Sequence, residues 1–270
     1  MILDRAFQFG DGIFESMRCI DGRVVGLRDH IQRLLSSARS LRLPMKENAA
    51  QIKKYISDAV RKTKGRDLYI KLILSRGIWL GSVLPDQDLK PSFIIISKPF
   101  VPFSESFYQR GLKVCLINIR RNETSPLSSI KSLNYLDNIM GRVFARQKGF
   151  HEGLFLNTKG YVAEGTMSNI FCVRHHQLIT PPISDGVLPG ITRKWILGHA
   201  GSVGLEVHER SMRPRDLTKS AEVFLSNSLM GIVPVTRIDH HLINSDKTGT
   251  YTGQLQQLYD RAGKRSMAIG

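Results

Sequence analysis

Leu27, Ile31, Leu34, Leu35, Ala38 and Leu41 recur every three to four positions, which predicts an amphipathic helix over Leu27–Leu41. Pro44 closes it. Asn48 is placed as an N-cap ahead of Ile52, Ile56, Ala59 and Val60, and predicts a second helix. The period then drops to two. Leu68, Ile70, Leu72 and Leu74 share one face of a strand over 68–75, and 92–98 reads as another strand. A loop bearing Gly and Pro, 76–91, joins them. Residues 99–110 carry prolines and serines with little periodicity, and mark a linker.

Beyond it, 112–120 reads as a strand. Leu133, Leu136, Met140, Val143 and Phe144 mark a helix. Short strands follow at 153–157, 161–164 and 169–173, with turns at Asn157–Gly160 and Arg174–Gln177. Helices are expected over 191–202 and around 251–262, with a strand at 222–226 between them. The pattern predicts an α/β (α+β) protein in two lobes: a small N-terminal lobe over 1–103, a linker over 104–110 and a larger C-terminal lobe over 111–270.

Composition narrows the class. The 270 residues are 41% hydrophobic and 23% charged, which excludes collagen-like and disordered chains. A net charge of +16 fits either a polyanion-binding surface or a solvated basic surface that attracts anionic small molecules. Lys and Arg are scattered, with no basic-aromatic module, so nucleic acid is not the expected partner. Cys19, Cys115 and Cys172 lie far apart among apolar residues and read as buried free thiols of a reducing compartment. No apolar run approaches the ~18 residues of a membrane span, and the first residues do not read as a secretion signal. No membrane partner and a cytoplasmic location are therefore expected. His175–His176 sits in a turn without other ligands at metal spacing, so no metal site is expected.

Three segments carry chemistry. Leu188-Pro-Gly-Ile-Thr-Arg193 opens a predicted helix. Its first-turn N–H groups and the Thr192 hydroxyl could seat a phosphate, or simply cap the helix. Lys131, in Ser128–Tyr135, is flanked by Ile130 and Leu133 with Tyr135 four residues on. It reads as a desolvated nucleophile or as a surface lysine. Glu164, in Gly160–Phe171, is a buried carboxylate awaiting a positive partner, or a turn cap. Arg33 is by spacing a solvated helix arginine, and Ser226-Asn-Ser228 a polar turn.

Together these segments resemble the fold-type IV pyridoxal-phosphate enzymes, which hold branched-chain aminotransferases, D-amino-acid aminotransferases and aminodeoxychorismate lyases. The resemblance runs through Asp4–Glu15, His30–Leu34, Lys131–Tyr135, Glu164–Asn169, Leu188–Arg193 and Ser226–Ser228, in the family's order. It implies a two-lobe fold and pyridoxal 5′-phosphate as cofactor. Lys131 would carry the Schiff base and Glu164 would bind the pyridine nitrogen. Arg33, Ile191, Thr192 and Ser228 would hold the phosphate. Tyr135 would bond the phenolic oxygen, and Leu188 would pack on the ring.

Within the family, Leu225–Val235 resembles the corresponding segment of aminodeoxychorismate lyases. That implies conversion of 4-amino-4-deoxychorismate to 4-aminobenzoate and pyruvate, a folate-pathway step on a small anionic amine. A D-amino-acid or branched-chain aminotransferase is the alternative. Ser75-Arg-Gly77 is followed by Ile78–Gly81 without the second arginine common in lyases. That leaves Arg76 and Asn227 as the candidates for substrate contact. The resemblance also implies a homodimer, and a small lobe that lacks the family's first edge strand.

Overall fold

The computed structural model describes residues 2–79, 81–86 and 88–265. The chain divides into two compact units. Among the described residues, the first comprises those up to 101 with 130–135 and 263–265, and the second 102–129 and 136–262.

The first unit contains α1 (Arg5–Phe9), β1 (Gly12–Ile20), β2 (Arg23–Val24), α2 (Leu27–Ser40), α3 (Ala49–Lys62), β3 (Leu68–Ser75) and β4 (Ser92–Pro99). Its sheet has the order β2-β1-β3-β4, and every neighbouring pair is antiparallel. The alternation in β3 is realised: Leu68, Ile70, Leu72 and Leu74 are buried with Ile13, Met17 and Cys19 of β1. Ile31, Leu34 and Ala38 of α2 and Ile52 and Ile56 of α3 close the same core. Asn48 caps α3 in a capping box with Gln51, as its position in the sequence requires. β1 was not legible as a strand. Its inward face includes Glu15, which breaks the apolar alternation.

The second unit contains α4 (Glu105–Arg110), β5 (Leu112–Arg121), α5 (Leu136–Gln147), β6 (Glu152–Asn157), β7 (Val162–Gly165), β8 (Asn169–Arg174) and β9 (Gln177–Thr180). It continues with α6 (Ile191–His199), β10 (Glu206–Glu209), α7 (Pro214–Thr218), β11 (Glu222–Asn227), β12 (Gly231–Ile238), β13 (His241–Leu242) and α8 (Thr250–Arg265), the last up to residue 262. Its sheet runs β10-β9-β8-β11-β12-β5-β6-β7 among the described residues, with β13 added beside β12. β5 pairs in parallel with β6 and β12. Both faces of β6, β8, β11 and β12 are covered, so their patterns carry almost no alternation.

Three expectations are revised. Where a linker was expected over 104–110, the chain forms α4, whose six residues are too few to show a helical period. Residues 130–135, expected in the C-terminal lobe and leading into a helix, group instead with the first unit and lie along β1. Phe14 N–H donates to the Lys131 carbonyl and Leu133 N–H to the Gly12 carbonyl, each at 2.9 Å. Finally, α5 turns its apolar stripe outward. Leu136, Ile139, Met140 and Val143 are exposed, while Asn138, Gly141 and Ala145 face inward. Gly141 explains the inversion, because a Cβ there would collide with Ile117 of β5. The helix lies close on the strand through its smallest residue.

No helix among the described residues is long and apolar enough to cross a membrane. Cys19, Cys115 and Cys172 are free and buried.

Candidate functional site

In the first unit, β1 presents neighbouring residues to opposite faces. Phe14 lies on the face toward which segment 130–135 turns its lysine. The Lys131 ammonium is 4.5 Å from the Phe14 ring centroid and 5.8 Å from that of Tyr135. The two rings meet edge to face at 5.4 Å. Lys71 of β3 reaches the same Phe14 ring, with its ammonium 4.8 Å from the centroid. Lys131 and Tyr135 are thus brought together by an irregular segment, not by the helical spacing the sequence suggested.

Glu15, one residue on, points the other way and meets α2. Its Oε1 accepts from Arg33 Nε at 2.8 Å, and its Oε2 from Arg33 Nη2 at 2.6 Å. His30 Nδ1 is 2.7 Å from the same Oε2. The Glu15 and His30 side chains are almost fully buried, and that of Arg33 is only 10% exposed. Arg33 is therefore not the solvated helix arginine its spacing implied. Burial by itself would raise the Glu15 carboxyl. The charge of Arg33 and the bonds from Arg33 and His30 outweigh it and bring the group down to about 2. Burial pushes the His30 imidazole below its ordinary value, against the pull of Glu15.

Arg76 is engaged elsewhere. Its Nε donates to Asp11 at 2.8 Å, and its two terminal nitrogens donate to the carbonyls of Arg42 and Leu41. Arg5 donates to the same Asp11 oxygen at 2.7 Å. Arg76 thus ties the end of β3 to the chain after α2.

In the second unit, Glu164 of β7 is the centre of a buried polar group. Its Oε1 accepts from Arg121 Nη2 at 2.9 Å. Its Oε2 accepts from the Leu188 backbone N–H at 3.0 Å and from Asn169 Nδ2 at 3.4 Å. Asn169 Nδ2 also donates to the Leu188 carbonyl. Arg121 lies over the Phe155 ring at 4.3 Å and reaches Asn138. Glu164 and Leu188 are therefore joined. Gly190 belongs to the same construction, because a Cβ there would collide with Asn169 Oδ1.

Ile191 and Thr192 form the first turn of α6, and Gly190 is its N-cap. Thr192 is buried, with its hydroxyl 3.2 Å from the Tyr259 hydroxyl of α8. The Tyr259 ring also lies against Gly231, where β12 begins. Ser228 is half-buried in the turn between β11 and β12. That turn is capped by Asn227, whose Oδ1 accepts from the backbone N–H groups of Leu229 and Met230. Asn227 Nδ2 donates to the Met167 carbonyl, which ties this turn to the segment between β7 and β8. The Ser226 hydroxyl beside it is buried with no hydrogen-bond partner among the described residues.

Sequence reasoning gave no role to Glu15, His30, Arg121, Asn169 or Tyr259. Glu15, His30 and Asn169 stand inside the recognised blocks, and that placement was the one signal available. Arg121 and Tyr259 carried none. Among the described residues no group of three or more His, Cys, Asp or Glu is placed to hold a metal ion.

Comparison with known proteins bears on both units. The sequence profile of the family described as amino-transferase class IV matches residues 12–238. A putative branched-chain-amino-acid aminotransferase of Methanocaldococcus jannaschii is 33% identical over 259 residues, covering 96% of this chain and 89% of that protein. The branched-chain amino acid aminotransferase of Thermobaculum terrenum, solved in its PLP form, superposes with a TM-score of 0.87 at 30% identity. That match covers 97% of this chain and 88% of the other. The 4-amino-4-deoxychorismate lyase of Pseudomonas aeruginosa gives the same TM-score and identity, covering 96% and 94% of the two chains.

Proposed function

From the premise that the chain belongs to the class IV aminotransferases, fold-type IV enzymes with pyridoxal phosphate as cofactor, we propose that it is an aminotransferase acting on branched-chain amino acids. This replaces the lyase as the first reading, because its support from the comparisons is broader. The Methanocaldococcus relative and the Thermobaculum structure carry that activity in their names.

The observation that carries the enzymatic reading is the Glu164 seat. A buried carboxylate facing an arginine and a backbone N–H stays anionic, and an anion is what a protonated pyridine nitrogen requires. The rest of the donor set fits the cofactor as well. A phosphate calls for an arginine, first-turn N–H groups and hydroxyls, and Arg33, Ile191, Thr192 and Ser228 supply them.

When bound, the cofactor supplies an electron sink for charge developing beside the substrate nitrogen. Glu164, which accepts from Arg121 and from Leu188 N–H, would hold the proton at the ring nitrogen. Arg33, the start of α6 and Ser228 would hold the phosphate. Tyr135 would bond the phenolic oxygen, and Leu188 would pack on the ring. Lys131 would be the residue that tethers the cofactor, and its amine, once free, would move a proton at the substrate α-carbon. A homodimer in the cytoplasm belongs to this reading, and the exposed apolar stripe of α5 supports the dimer.

The lyase is the second reading. It is favoured by the Pseudomonas structure and by the resemblance of Leu225–Val235. One set of measurements separates the two. Purified protein loaded with pyridoxal phosphate is mixed with L-leucine, with D-alanine, and with chorismate, glutamine and a synthase partner. Conversion of the cofactor to its amine form by L-leucine is expected, and Lys131→Ala should abolish it. Formation of 4-aminobenzoate without that conversion overturns the first reading in favour of the second. Conversion by D-alanine alone shifts the substrate class.

A further inference from the structure

Glu15 and His30 are nearly buried polar side chains with no part in the chemistry above, yet Glu15 pairs with the arginine assigned to the phosphate and His30 bonds Glu15. We propose that Glu15, backed by His30, is the positioning residue for the phosphate clamp: it sets the plane of the Arg33 guanidinium. The inference rests on the reading that Arg33 holds the cofactor's phosphate.

The geometry carries it. An arginine on a helix surface samples many rotamers, and ordering it at the moment of binding costs affinity. Here the guanidinium is fixed beforehand by two near-parallel bonds, Nε to Oε1 at 2.8 Å and Nη2 to Oε2 at 2.6 Å. This is the paired-fork arrangement in which arginine and carboxylate share a plane. Glu15 is held in turn. It stands mid-strand in β1, whose register against β3 is unbroken from Gly12 to Cys19, and it takes a third bond from His30. Because Glu15 is ionised it can only accept, so the His30 proton sits on Nδ1 and Nε2 is the bare nitrogen. Nε2 has no hydrogen-bond partner among the described residues, so the contact to Glu15 is the one this imidazole is seen to make there. β1 also links the clamp to the lysine. Phe14 supports Lys131, and the next residue, Glu15, supports Arg33.

An electrostatic role for Glu15 has the opposite consequence. A carboxylate beside a phosphate site repels the ligand, so deleting its charge would tighten binding. A positioning role predicts weaker binding, confined to ligands that carry the phosphate.

The test measures uptake of pyridoxal phosphate and of pyridoxal, the same ring without phosphate, by wild type, Glu15→Gln, His30→Gln, Arg33→Met and the double variant Glu15→Gln/Arg33→Met. Removing the partner behind a metal-ligating side chain costs about 10- to 100-fold in affinity, and an arginine held in the same way should lose a similar factor. Glu15→Gln should therefore weaken pyridoxal phosphate by about 10-fold or more and leave pyridoxal within about twofold. The double variant should be no weaker than Arg33→Met alone. His30→Gln keeps the Glu15–Arg33 pair and should show a smaller loss of the same kind, which keeps the test alive should Glu15→Gln fail to fold. Tighter binding of pyridoxal phosphate, equal weakening of both ligands, or additive losses in the double variant would each overturn the proposal. Failure of wild type to take up either ligand on Lys131 overturns the cofactor-site reading instead, so the two failures are distinguishable.

Discussion

Arg121→Met tests whether Glu164 is held ionised by its neighbour. The variant removes the guanidinium 2.9 Å from the Glu164 carboxylate while keeping an unbranched side chain over the Phe155 ring. Taking one partner from a buried ion pair costs about 3–5 kcal/mol, because the remaining charge loses its counter-charge. The Glu164 side chain is 7% exposed and that of Arg121 16%. Leu188 N–H and Asn169 still face the carboxylate, so the lower end, about 3 kcal/mol, is expected. Glu164→Gln should cost a similar amount by stranding the arginine. The double variant, with neither charge, should cost less than either single change. The assay is urea unfolding of cofactor-free protein, since bound ligand would add its own stabilisation. It is followed by Trp195 in a Trp79→Phe background. Trp195 lies in the second unit, stacked on His199 and edge-on to Tyr259, so its emission reports that unit. Costs of the two single changes that add in the double variant, within about 0.5 kcal/mol, would refute the argument.

Acid should unfold the first unit through Glu15. Its carboxyl is held at about 2 against an ordinary 4.5, a difference that corresponds to about 3 kcal/mol of stability above pH 4.5. That stability disappears as pH falls from 4.5 toward 2, with roughly 2 kcal/mol gone by pH 3. His30, held below its ordinary 6.5, acts in the same direction as pH falls below that value. Unfolding followed by Trp79 in a Trp195→Phe background from pH 6 to pH 3 should show the gap between Glu15 and Glu15→Gln proteins closing; a gap independent of pH would contradict the assignment. Gly190→Ala should displace Asn169 from the Glu164 seat and reduce pyridoxal phosphate uptake by about tenfold with unchanged circular dichroism. Wild-type uptake by that variant would show that the close approach of Gly190 and Asn169 has no bearing on the site.

Local pattern alone determined a good part of this protein. The period-two run in β3, the apolar stripe of α2 and the Asn48 cap are all present as read, because each depends on side chains a few residues apart. Six short blocks in one order were enough to place the chain in its family and to name its cofactor. The apolar stripe of α5 was legible too, but not the side on which it would lie. A hydrophobic period says that a helix has two faces, and only packing against Ile117 through Gly141 decides which one is buried. Lys131 was singled out by its local sequence, yet its surroundings come from β1, more than a hundred residues earlier. The same separation hid the partners that give Arg33 and Glu164 their character. Glu15 lies 18 residues from Arg33 and Arg121 lies 43 from Glu164, and no local period connects them. Charge pairing in a buried site joins elements far apart in the chain, here β1 with α2 and β5 with β7, so it exists only once the chain has closed on itself.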